Sequence, residues 1–155
     1  MTTKNYKALN CPIAEALTVL GDQWTLLIIR DAMMGISSFS GFEKSLGITR
    51  RMLSRRLSEM VENDLLERVP IKENPSRYNY VPTPKTKELA VLVSSLIVWG
   101  EKWYPHAKGS RIELLETSSG SPVEPRMVAT KAQKVVSIDD CSFLPGPAAP
   151  PKQPK

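Results

Sequence analysis

Between Lys44 and Ser58 the chain carries five cations, Lys44, Arg50, Arg51, Arg55 and Arg56, and no acid; that stretch alone equals the net charge of +5 of the whole 155-residue sequence. Thr49, Ser54 and Ser58 are interleaved with them. Long guanidinium donors mixed with short hydroxyls are the side chains that bond phosphate oxygens and guanine edges in a DNA major groove. A solvated helix face would instead intersperse acids as i,i+4 partners, so the charge placement favours a polyanion, double-stranded DNA first, over that plainer reading. Lys72 and Arg77 add two cations in a later stretch rich in turn formers.

Other chemistry is thinly supplied. There are two cysteines, Cys11 and Cys141, and one histidine, His106. One chain cannot build a disulfide framework, a four-thiolate metal site or a histidine cluster from these, so neither metal nor cofactor is expected. Gly35, Gly41 and Gly47 lack the spacing and strand context of a nucleotide-binding loop. No nucleophile stands beside a base, and the chain does not read as an enzyme. Cys11 directly precedes Pro12 at a helix start, where the positive end of the helix dipole favours a thiolate. The plainer reading of Cys11 is a small apolar residue that helps the first helix pack.

The elements that must position these residues follow from periodicity and caps. Ile13, Ala16, Leu17 and Leu20 recur at i, i+3, i+4 and i+7, which predicts an amphipathic helix over residues 12–20 with Pro12 in its first turn. Gly21 stops it. Asp22 can cap a second helix to about Met33 that buries Trp24, Leu27 and Ile28. A short helix over residues 40–46, a turn at Gly47, and a helix capped by Thr49 and running to about Asn63 spell a helix-turn-helix. On the last helix Leu53, Leu57 and Met60 share one arc, which turns Arg51, Ser54, Arg55 and Ser58 the other way. Arg50 and Arg56 flank the arc: Arg50 is placed for a phosphate, and Arg56 is equally suited to DNA or to protein carboxylates. The DNA reading requires Arg51 and Arg55 to point away from the protomer's own acids.

Residues 65–70 and 78–83 predict a two-stranded hairpin with Lys72 and Arg77 at its tip, closed by Pro82 and Pro84. Residues 85–104 read as one long helix with more apolar surface than a small core needs. Its Leu89, Leu92, Val93, Leu96 and Ile97, with Ile13, Leu17 and Leu20, are expected to form a homodimer interface, although completing the monomer core is the simpler use. A twofold dimer would read half-sites about one helical turn apart. The predicted fold class is α+β, mainly helical: a winged helix-turn-helix with a two-stranded wing, a long C-terminal dimerisation helix and a small β appendage.

This organisation gives a DNA-binding and dimerisation domain over residues 1–104, a β appendage over 105–144 with strands within 111–117 and 127–138, and a Pro-rich extended tail over 145–155. Eight of the thirteen prolines lie from Pro105 onward, which marks the change in composition. The longest charge-free run, residues 89–100, is far short of the roughly 20 residues a membrane span needs. Residues 1–10 are polar and precede no leader-like apolar core. A cytoplasmic protein with no membrane partner is expected. Two rival readings remain: an effector pocket lined by Trp24, Trp99, Trp103 and Tyr104, and a winged-helix protein-interaction module without DNA binding.

The segments Cys11-Pro-Ile-Ala-Glu-Ala-Leu17 and Gly21-Asp-Gln-Trp-Thr-Leu-Leu-Ile-Ile-Arg-Asp31 resemble the opening of HxlR-type winged-helix transcriptional regulators. The resemblance continues through Phe39, Gly47-Ile48-Thr49, Leu53, Arg56-Leu57, Leu65-Leu-Glu-Arg68, Tyr80 and Thr83, and covers about residues 9–104. Gln23, Ser38 and Pro82 depart from it, standing where a basic residue, an arginine and a leucine are usual. The resemblance implies a bacterial repressor or activator that binds as a dimer to pseudo-palindromic operators near stress or detoxification genes. It also implies a small electrophile or oxidant as a partner of Cys11, because some members sense oxidants, quinones or aldehydes through a cysteine at that place. Longer members carry a Cys-rich ribbon ending in Pro-Gly-Pro; here Pro145-Gly-Pro147 is kept, but Ala129, Lys131 and Ala132 stand where paired cysteines would be needed, so no zinc is expected.

Overall fold

Short polar side chains mark where the helices begin. Asp22, Ser38, Thr49 and Thr83 have extended backbones, and their side-chain oxygens accept from the amides of Trp24, Gly41, Met52 and Thr86 at 2.9, 3.1, 3.4 and 3.3 Å. Each satisfies a helix amide that has no intrahelical acceptor. The computed structural model describes residues 9–72 and 74–149. Its helices are α1 (Pro12–Leu20), α2 (Gln23–Met33), α3 (Phe39–Leu46) and α4 (Arg50–Glu62), then, after a hairpin of β1 (Leu66–Ile71) and β2 (Asn74–Pro82), α5 (Pro84–Lys87) and α6 (Ala90–Trp103). A second hairpin, β3 (Met127–Ala129) and β4 (Lys134–Val136), precedes a single 3-10 turn at Ile138–Asp140. None of these helices is long and apolar enough to cross a membrane alone.

The described residues form two compact units that divide between Ala90 and Val91. In the first, Ile28, Ile29, Phe42 and Leu53 have no exposed surface, and Leu57, Met60, Leu65 and Leu66 almost none. This core packs α2 against α1, α3, α4 and β2. Helix α2 is therefore covered on more than one side. Its buried set is Thr25, Ile28, Ile29, Asp31 and Ala32, whereas Leu27 is exposed and Trp24 half-buried, contrary to the sequence expectation. Asp31 is kept polar inside by Arg30, whose Nε and Nη2 donate to Oδ1 at 2.9 and 2.6 Å.

The hairpin pairs Leu66 with Pro82 through Pro70 with Tyr78, then shifts register to join Ile71 to Asn74. Residues 74–77, read from sequence as turn, thus belong to β2 and lengthen the wing. Ser38 bridges to Asn79, and the Tyr80 amide donates to the Ser37 carbonyl at 2.8 Å, so the residue that caps α3 is also stitched to the wing. At the wing's base, the Thr83 hydroxyl donates to the Asp64 carbonyl at 2.7 Å and the Thr86 hydroxyl to the Leu65 carbonyl at 2.6 Å.

The expected single helix over residues 85–104 is broken. The Leu89 amide closes onto the Thr86 carbonyl, a tightened i to i+3 turn at residues 88–89 that ends α5 after one turn. In the second unit Arg111 folds back on α6, donating to Glu101 through Nε at 3.2 Å and to the Tyr104 carbonyl through Nη2 at 2.7 Å. Its guanidinium holds the Glu101 carboxyl below the usual carboxylate range. The appendage strands also differ from expectation. Residues 127–138 form both strands of a hairpin, because Gln133 takes a left-handed φ of 50° and its amide returns to the Ala129 carbonyl. Residues 111–117 contribute only Leu115, bridged to Pro122. Of the tail, residues 145–149 are described and exposed, and 150–155 lie outside the described residues.

Candidate nucleic-acid interface

Helix α4 is set by its buried side. Leu53, Leu57 and Met60 are at most 2% exposed, and Gly47, in the left-handed region at φ 62°, lets the chain leave α3 and re-enter a helix within three residues. Ile48 is buried beneath this turn. The opposite side of α4 carries Arg51, Ser54, Arg55 and Ser58, all exposed, with Thr49 and Arg50 exposed at its start. Lys44 lies exposed in the last turn of α3, and Lys72 and Arg77 are exposed around the wing tip.

The cations differ in what they already hold. Lys44, Arg51, Lys72 and Arg77 have no ion-pair partner among the described residues. Arg50 is pinned twice, by Glu43 at 3.1 Å and by the Phe39 ring beneath its guanidinium at 5.2 Å. Arg55 reaches Glu59 through Nε at 2.8 Å while remaining 78% exposed, and the Glu59 carboxylate raises its pKa further above the usual guanidinium range. Arg56 is only 21% exposed and is held by Glu59 at 2.5 Å and by Asp22 at 2.7 Å. Of the two roles open to Arg56, the free chain shows the carboxylate one, with both ends of the guanidinium occupied. The requirement that Arg51 and Arg55 avoid the protomer's own acids is met by Arg51 and not by Arg55. Glu43 and Glu59 lie just outside the acid-free stretch, one residue beyond each end; one helical turn brings Glu59 back to Arg55 and Arg56, and the turn between α3 and α4 brings Glu43 to Arg50.

Two features, one on α4 and one on the wing, went unread in the sequence. Met52 is 46% exposed at the start of α4, among the arginines; it falls off the Leu53 arc, and that displacement was the available signal. Arg68 stacks on Tyr78 across the wing, 4.0 Å from the ring centroid, a cross-strand diagonal that only the register reveals.

Cys11 caps α1 with an extended backbone, accepts the Glu15 amide on its carbonyl at 3.0 Å, and is half-buried with a free thiol. Around it Ile13 is 71% and Leu17 44% exposed, with Leu20 half-buried. In the second unit α6 leaves Leu92, Leu96, Trp99 and Trp103 exposed at i, i+4, i+7 and i+11. Val93 is buried within its own protomer, which corrects its place in the expected interface; Leu89 and Ile97 are half-buried.

Comparison with known proteins matches residues 19–108 to a family model described as HxlR-like helix-turn-helix. The uncharacterised HTH-type transcriptional regulator Rv3095 of Mycobacterium tuberculosis is 33% identical over 135 residues, which cover 87% of this chain and 85% of that protein. The crystal structure of PA1607, a transcription-factor candidate, superposes with a TM-score of 0.78 at 33% identity, over 90% of this chain and 97% of the other. That breadth takes the match beyond the helix-turn-helix and into the appendage. The redox regulator HypR in its reduced form is 26% identical with a TM-score of 0.55, over 59% of this chain and 92% of its own.

Proposed function

The chain belongs to the HxlR-like helix-turn-helix family, whose members matched here are transcriptional regulators, and from that premise we propose that it binds operator DNA as a homodimer and is switched through Cys11. Helix α4 enters the major groove with Arg51, Ser54, Arg55 and Ser58 toward base edges and phosphates, and Met52 against a thymine methyl group. Lys44, Thr49 and Arg50 meet the flanking backbone, and the wing brings Lys72 and Arg77 to the neighbouring groove. The observation that carries this reading is the exposure of Arg50, Arg51 and Arg55 on α4 opposite the buried Leu53, Leu57 and Met60. A protein that meets the chromosome in this way works in the cytoplasm.

The thiol switch draws support from the redox regulator among the structural relatives and from the position of Cys11. It caps the same helix whose Ile13 and Leu17 are left uncovered, so adding a polar group there perturbs the proposed subunit contact. Selection of duplexes from a randomised pool, followed by salt titration, tests both parts. Two protomers that each neutralise about four phosphates give a logarithmic salt slope of about −7. Arg51→Ala is expected to weaken every duplex and to flatten the slope by about 1 per protomer. Diamide is expected to release the wild-type protein from the selected duplex and to leave Cys11→Ser bound. Equal release of both proteins overturns the switch, and a flat salt response overturns DNA binding.

A further inference from the structure

Four side chains of the first unit form a linear chain of charge that begins at the start of α2 and ends on the exposed face of α4. Asp22 caps α2 with Oδ1 and accepts Arg56 Nη2 on Oδ2 at 2.7 Å. Arg56 Nη1 donates to Glu59 Oε2 at 2.5 Å, and Glu59 Oε1 accepts from Arg55 Nε at 2.8 Å. Two acids and two bases balance. The members are not equivalent, because Arg56 is 21% exposed and held from two sides while Arg55 is 78% exposed and held from one.

We propose that Glu59 is a specificity-determining residue: it withholds Arg55 from DNA in general and yields it only where a base edge offers a better acceptor. The inference rests on α4 being the recognition helix. When Arg55 leaves, Arg56 keeps both of its carboxylates, so the interior end of the chain does not reorganise. What remains is one uncancelled negative charge on the face of α4, where it repels a phosphate brought up at random. A phosphate in a non-matching site repays that repulsion poorly, since Arg55 gains only an exposed contact in place of another exposed contact. A guanine repays it with a bidentate pair, the geometry for which a guanidinium is shaped. Arg51, one turn earlier and without an acidic partner among the described residues, supplies the unconditional phosphate contact that Arg55 does not. Two neighbouring cations on one helix thus divide affinity from selectivity.

The test compares wild type, Glu59→Gln, Arg55→Ala and the double variant on two probes: a duplex of about three helical turns selected by the wild-type protein, and an unselected duplex of equal length. Glu59→Gln is expected to bind the unselected duplex roughly 5-fold tighter, with a salt slope steeper by about 1 per protomer, and to change the selected duplex by less than about 2-fold. Arg55→Ala is expected to weaken the selected duplex by about 30-fold and the unselected one by about 2-fold; the double variant keeps the loss on the selected duplex, while Glu59→Gln still tightens the unselected one by removing the charge that Arg55→Ala leaves uncancelled. Arg55 is exposed, so Arg55→Ala reports even where loss of Glu59 disturbs folding. Unchanged unselected binding by Glu59→Gln, or an equal loss on both probes with Arg55→Ala, overturns the gate and leaves the DNA-binding reading intact. Failure of the wild-type protein to bind any duplex overturns both.

Discussion

At the residue scale, the side chains that organise the site are short and neutral. Thr83 is 7% exposed, donates to the Asp64 carbonyl, accepts the Thr86 amide, and through its own amide reaches the Leu65 carbonyl at 3.2 Å. It thereby fastens the end of α4's connection, the foot of the wing and the start of α5 to one another. Thr83→Val keeps the shape and removes the hydroxyl, leaving the part-buried Asp64 carbonyl and the buried Thr86 amide without their partner. A loss of about 2 kcal/mol in urea unfolding is expected; a loss under about 0.5 kcal/mol would show that the network carries no weight. The sequence made Thr83 visible only as one residue of a family pattern, since nothing local says that its hydroxyl faces a carbonyl 19 positions earlier. The same limit hid the partners of the arginines. An acid-free stretch looks uncompensated when read linearly, but a helix places Glu59 beside Arg55 and Arg56, and the fold places Asp22 there from 34 residues away.

At the element scale, legibility tracks how local the cause is. The caps of α2 and α4, the stop at Gly21 and the leucine arc of α4 are written in windows of a few residues, and the structure has each where its sequence signal lies. The helix broken between α5 and α6 and the second hairpin were not legible. The first depends on Thr86 being bonded to Leu65, and the second on a left-handed Gln133 in a segment with no glycine to announce it. The turn between α3 and α4 is the local element on which the site depends most. A Cβ added at Gly47 would meet nothing within 4 Å, so the cost of substitution is that of the left-handed φ alone. Gly47→Ala is expected to cost about 1 kcal/mol and Gly47→Asn distinctly less, because asparagine tolerates that region better. Equal losses in urea unfolding would mean that something other than φ selects glycine there.

At the scale of the whole molecule, uncovered apolar surface is what the proposed homodimer has available to bury. In the first unit α1 exposes Ile13 and Leu17, and in the second α6 exposes Leu92, Leu96, Trp99 and Trp103 along one stripe. Aromatic and aliphatic side chains repeated at this spacing are costly to leave in water and suit helix packing across a twofold axis. The stripe also redistributes the tryptophans: Trp99 and Trp103 are 53% and 61% exposed and serve a contact surface better than the enclosed effector pocket considered from sequence. Val93 and Ile97 point to the other side of α6, which is why the periodicity that suggested a dimer also swept in a residue already buried. Leu96→Glu sets a charge in the middle of the stripe while sparing that buried side. It is expected to convert a dimer into a monomer in sedimentation equilibrium and to flatten the salt slope on the selected duplex from about −7 to about −3.5, since one protomer brings half the phosphate contacts. A dimer that persists with an unchanged slope would move the interface away from α6 and leave the α1 face as the remaining apolar candidate.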